Sequence, residues 1–178
     1  MFLTQELNKE GIVAMVSYIK GRPEVITIDD RIPWGTSTPL FLKANTDNAY
    51  WAVMAEKVYA KLAVNYETIG WGWMAESFYV LTGVPTSMLT SQSFTLEQMT
   101  AVIKDSFAKD FVLTAACMSA AQGIIGSHAY SVLGTKTIVD TNGTPVADLV
   151  LVRNPWGRSE FTGDWSDRST LWTSEYKA

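Results

Sequence analysis

Cysteine and histidine are almost missing from this chain, with one of each in 178 residues. A single cysteine excludes an internal disulfide and offers no CxxC-type metal spacing. With only one histidine as well, a zinc site would have to take most of its ligands from carboxylates. The unpaired thiol suits a reducing compartment. A basic stripe is also missing: 14 Lys and Arg stand against 18 Asp and Glu, for a net charge of −4. Phosphate neutralisation needs clustered cations, so nucleic acid is excluded as a partner. No apolar run reaches the roughly 20 residues that cross a bilayer, which excludes a membrane span. The opening MFLTQELNKE lacks a cationic segment followed by an apolar one and reads as no signal peptide.

What the chain does have is enough apolar material for a core. Hydrophobic residues make up 47% of the sequence, and its length suits one domain of ordinary size. No internal repeat, low-complexity tract or linker breaks it, so a single domain over 1–178 is expected. IVAMVSYI (12–19) and EVITI (24–28) read as two strands joined by the turn KGRP. After the turn-rich loop DDRIPWGTSTP the period changes. Over 47–65, Trp51, Met54, Ala55, Val58 and Leu62 fall on one helical face, and Thr46 or Asp47 can cap the first turn. MAESFYVL predicts a second helix ending at Gly83 and Pro85. TLEQMTAVIKDSFAKD predicts a third, opened by Thr95 and Gln98 in capping-box spacing, with Leu96, Met99, Ile103 and Phe107 on one side.

From residue 111 the pattern is strand-like: FVLTAACM, HAYSVLGTKTI and VADLVLVRN. The last two are separated by DTNGTP, a hairpin signal built on Asn142-Gly143. Helices followed by strands predict an α+β fold with an antiparallel sheet.

The one histidine, His128, lies in GSHAYSVLG. A histidine in a strand is ordinarily a hydrogen-bonded structural residue, and Asn154, before Pro155, ends a strand as Asn commonly does. The hairpin, however, places the two on neighbouring antiparallel strands. A carboxamide oxygen can then accept from one ring nitrogen, setting the tautomer and leaving the other nitrogen free for a nucleophile.

These residues carry a resemblance. GSHAYSVLG followed by LVLVRNPWGRSEFTGDWSD resembles the calpain protease core, which reads GHAYSV, then RNPWG and W-x-G-x-W-x-D. Upstream, ITIDDRIPW is similar to the family's VIDDRLP, and NAYWAVMAEKVYAKLAVNYE to EFWSALLEKAYAKLHGSYE. The four blocks keep their order and cover nearly the whole chain. The resemblance implies the second lobe of a papain-like cysteine protease core, an antiparallel, barrel-like sheet with helices at one side. By the same match His128 corresponds to the catalytic general base and acid, and Asn154 to the residue orienting its imidazole. Trp156 corresponds to the lid over the His–Asn bond, although with seven tryptophans it can equally be core filling. Ser127 stands on the floor of the substrate cleft where the family has Gly. Glu160 and Asp167 correspond to carboxylates of a calcium site, part of the six to eight or so oxygens that Ca²⁺ takes. The other ligands would come from a loop past Ala178.

The nucleophile is the gap. Papain-like enzymes hold their Cys at a helix N-terminus upstream of the histidine, and calpains mark it with a motif like QGxLGDCWFLA. No such string occurs here. Cys117, in the small, apolar, strand-like FVLTAACMSA, reads as a buried structural thiol. The chain is thus expected to be the His/Asn half of a calcium-dependent endopeptidase, inactive alone. Its partners would be a Cys-bearing lobe and a protein or peptide substrate. The alternative is a catalytically dead calpain-like module retained for binding or structure.

Overall fold

The computed structural model describes residues 1–6, 8–44 and 49–176. Its residues gather into two compact units, Met1–Met88 and Leu89–Ala178.

The first unit is built on a hairpin of β1 (Ile12–Ile19) and β2 (Arg22–Asp29), paired from Ile12↔Asp29 to Ile19↔Arg22. The expected four-residue turn shrinks to Lys20-Gly21. Both residues have positive φ, at 50° and 79°, the conformation whose twist matches that of two antiparallel strands. Arg22 and Pro23 therefore belong to the strand, and Pro23 is tolerated because β2 is an edge among the described residues. Alternation along β1 turns Val13, Met15 and Ser17 inward. Helix α1 (Trp51–Leu62) covers them, so that Val13, Met15, Ile28, Met54, Ala55 and Val58 form one buried cluster with Leu62 packed against it. Trp51 departs from the predicted face and stays exposed. Thr46 and Asp47, the expected caps of this helix, lie outside the described residues.

Lys57 ties α1 to β2. Its Nζ donates to Asp29 Oδ1 at 2.6 Å, to the Asp29 carbonyl at 3.1 Å and to the Arg31 carbonyl. The Lys57 hydrogen bond holds the Asp29 carboxyl below the usual carboxylate range, helped by the Arg31 amide. Helix α2 (Met74–Thr82) packs on β1 and stops at Gly83, whose φ of 73° is left-handed. A Cβ there would lie 2.5 Å from the Tyr18 ring, so only glycine allows both the turn and the close approach.

In the second unit, Thr95 and Gln98 close the predicted capping box on α3 (Leu96–Ala108). Met99, Ile103 and Phe107 are partly buried, but Leu96, in the first turn, is exposed. Three antiparallel strands follow, β3 (Leu113–Cys117), β4 (His128–Val139) and β5 (Pro145–Arg153), in the order β3-β4-β5. The α+β class and the antiparallel pairing agree with the sequence reading, but neither sheet closes into a barrel. Three strands leave two open edges and are too few to curl round a core. The β4–β5 connection is also longer than a two-residue Asn-Gly turn. Asp140 Oδ1 accepts the Asn142 and Thr144 amides at 2.9 and 2.8 Å, and Gly143 supplies the positive φ of 79°. From α3, Lys104 donates to Thr137 Oγ1 at 2.9 Å and Asp148 Oδ1 at 2.5 Å, binding the helix to a register pair of β4 and β5.

Candidate active site

His128 begins β4 and Asn154 follows directly on β5. Near this end the strands pair Ser131↔Arg153 and Val132↔Val152. One more step sets Asn154 against Tyr130, diagonal to His128, whose side chain shares a face with Tyr130 because a single residue, Ala129, lies between them. The Asn154 side chain closes the diagonal. His128 Nε2 and Asn154 Oδ1 are 2.8 Å apart.

The orientation of the carboxamide is settled by its other bonds. Asn154 Oδ1 also accepts the Trp156 amide at 3.0 Å, and Nδ2 donates to the Arg158 carbonyl at 2.6 Å. Turning the amide over would set donor against donor and acceptor against acceptor. Since Oδ1 can only accept, the proton between Asn154 and His128 resides on Nε2. In the uncharged ring, Nδ1 is then the nitrogen with the free lone pair. Two aromatic rings border the half-buried imidazole. Trp156 lies 4.4 Å away, centroid to centroid, tilted by 48°, and is itself 56% exposed. Tyr130 is buried and meets the imidazole edge-on at 4.9 Å and 83°. Arg158 stands over the indole, its guanidinium carbon 5.8 Å from the ring centroid.

Ser127, just before His128, is exposed with a left-handed φ of 51°. That conformation favours glycine and strains a serine. Cys117 is half-buried rather than buried. It is the register partner of His128 across β3 and β4, so both side chains leave the same face of the sheet. Its thiol donates to the Ser119 carbonyl at 2.7 Å, and no Cys117–His128 hydrogen bond occurs among the described residues. Glu160 and Asp167 are exposed. Among the described residues no group of three or more His, Cys, Asp or Glu side chains could hold a metal ion. These two carboxylates fall well short of the six to eight or so oxygens of a calcium site.

Sequence reasoning passed over Tyr130, the register of Cys117 and the part played by Arg158. The spacing of His128 and Tyr130 could have exposed the first, because alternate strand residues share a face. The other two depend on strand register and turn geometry, which periodicity does not carry.

An α+β chain whose one imidazole is bound through Nε2 to a carboxamide, with Nδ1 free and an indole alongside, has the arrangement expected of a cysteine-peptidase module of the papain type. Known proteins narrow the class. The model of the calpain family cysteine proteases matches residues 2–178, and the chain belongs to that family. It is 33% identical over 158 residues to Calpain-12 of Mus musculus, which covers 85% of this chain and 22% of that protein. With Calpain-8 of Mus musculus the identity is 34% over 175 residues, covering 93% and 24%. With the Calpain-type cysteine protease DEK1 of Arabidopsis thaliana it is 30% over 191 aligned positions, covering 99% and 9%. The chain thus spans less than a quarter of the length of these relatives. No helix among the described residues is long and apolar enough to cross a membrane.

Proposed function

We propose that this chain supplies the His/Asn half of a calpain-type cysteine endopeptidase site, and that a cysteine on another segment supplies the nucleophile. The observation that carries this is the bond network of Asn154, which engages Nε2 of His128 and leaves Nδ1 to exchange a proton. In the reaction, Nδ1 takes the proton of the incoming thiol, and the thiolate attacks the peptide carbonyl carbon. The imidazolium passes that proton to the departing amine as the C–N bond breaks, leaving a thioester. Nδ1 then removes a proton from water, whose oxygen attacks the thioester carbon. As the tetrahedral adduct collapses the C–S bond breaks, the acid product leaves, and the proton returns from the imidazolium to the thiolate. Asn154 keeps the ring in one tautomer throughout, and the indole of Trp156 shields the Nε2 bond from competing water.

Ser127 belongs in this reading to the cleft floor, and the partners are a Cys-bearing lobe and a peptide. Calcium stays outside the chemical steps. Glu160 and Asp167 are proposed as two oxygen donors of a calcium site whose remaining donors lie elsewhere, and the setting as cytoplasmic. The state of Cys117, on a strand and bonded to Ser119, supports the view that this thiol is not the nucleophile. It equally favours the second reading, a module kept for binding.

The two readings part in one experiment. The chain alone should not cleave a fluorogenic peptide. Mixed with the Cys-bearing segment of a calpain core it should do so, and His128→Ala should lower that rate at least about 100-fold. Hydrolysis by the chain alone, lost on Cys117→Ala, would refute the split site. No hydrolysis by a mixture shown to associate would favour the binding module.

A further inference from the structure

We infer that Tyr130 is a positioning residue for the imidazole: its ring sets the rotation of His128, and its hydroxyl hangs the loop leading into β4 on the same support. Its catalytic consequence rests on the function proposed above; its geometry does not.

Three observations meet at this side chain. Tyr130 is 6% exposed and meets the imidazole edge-on, with Trp156 as the other aromatic neighbour of that ring. Asn154 holds the ring at one atom only, and a single hydrogen bond leaves rotation about it free. A second, apolar wall removes that freedom. At its far end the Tyr130 Oη accepts the Ile125 amide at 2.9 Å, and this bond is part-buried. Ile125 belongs to a loop that runs through left-handed Gln122 and Gly123, with φ of 47° and 85°.

That loop is interlocked with the chain beyond Trp156. Thr162 donates its amide to the Gln122 carbonyl at 2.8 Å, and a Cβ on Gly123 would lie 2.0 Å from the Glu160 carbonyl oxygen. The segment before His128 and the segment after Asn154 are therefore one clamp, and the Tyr130 hydroxyl fastens it to the strand that carries the imidazole. Loss of the hydroxyl should loosen the loop and spare the ring. Loss of the ring should disturb both.

The test uses the 178-residue chain and NMR, where the one histidine gives a single imidazole spin system. In the unaltered chain, nuclear Overhauser contacts should join Tyr130 ring protons to His128 Hδ2 or Hε1. Their absence overturns the contact, whatever the variants do. Tyr130→Phe should speed hydrogen exchange at the Ile125 amide by about five- to tenfold, the worth of one hydrogen bond. It should leave the ¹⁵N pattern of an Nε2–H imidazole unchanged at about pH 8.5, where an ordinary imidazole is uncharged. Tyr130→Met should move that pattern towards a mixture of tautomers. Unchanged Ile125 exchange in the Phe variant overturns the loop role, and an unchanged tautomer in a folded Met variant overturns the ring role. If the Met variant does not fold, the Overhauser contacts decide the ring role. Peptide hydrolysis plays no part in these readouts, so the inference and the proposed function can fail separately.

Discussion

At Asn154 a single carboxamide joins the imidazole, the Trp156 amide and the carbonyl of Arg158, with the Ser159 carbonyl at 3.4 Å as a weaker fourth partner. Asn154→Ala should therefore do more than free a ring nitrogen. It leaves the exposed Arg158 carbonyl and Trp156 amide to water, for a stability loss of about 0.5–1.5 kcal/mol in urea unfolding. The imidazole ¹⁵N signals should also move away from pure Nε2–H. Retention of that pattern would show that Asn154 does not set the tautomer. Ser127 offers the opposite effect. At its φ of 51° a side chain is strained, so Ser127→Gly should stabilise the chain by up to about 1 kcal/mol without moving the imidazole signals. A lower urea midpoint would mean that the Ser127 side chain contributes something its exposure does not reveal.

Among the elements, those with a clear period could be read directly from the sequence. The alternation of IVAMVSYI gives β1 with its buried Val13 and Met15, and the capping box marks the start of α3 correctly. Periodicity was less informative at helix ends. Trp51 and Leu96 fit their apolar faces by spacing, yet each is the first residue of its helix and both are exposed. Lys57 shows what else spacing misses, since a cation among apolar neighbours gives no hint that it will bridge α1 to β2. Lys57→Met should cost about 1 kcal/mol at neutral pH, because solvent screens the Asp29 end of the pair. The pH dependence has a definite sign. The folded Asp29 carboxyl lies below its ordinary 3.8, so its contribution is complete above that pH and is lost as the pH falls through the lower, folded value. The gap between Lys57→Met and the unaltered chain should therefore narrow in strong acid. A gap that stays constant in urea titrations down to about pH 2.5 would assign Lys57 a role independent of the Asp29 charge.

For the whole molecule, order along the chain carried more information than any single motif. Four blocks in sequence led to the calpain family, to which the chain belongs, while Glu160 and Asp167 on their own would pass for solvated charges. Calcium should accordingly bind the isolated chain weakly, with no saturable heat in titration calorimetry below about millimolar concentration. Sub-micromolar binding, abolished by Asp167→Asn, would mean that backbone carbonyls complete a site which the side chains leave open.

The amino acids alone, through the 2.0 and 3.6 periods, the capping box and the hairpin signal, specify an α+β chain with His128 and Asn154 on neighbouring strands. Tertiary pairing decides whether the two can touch. Between Val132↔Val152 and Gly134↔Leu151 the register slips by one residue at Leu133. Continued without that slip, the pairing would set Asn154 against Ser131, on the face opposite His128. A one-residue shift exchanges the faces of a strand, so this bulge, marked in the sequence only by Gly134 beside it, is what brings the carboxamide to the imidazole.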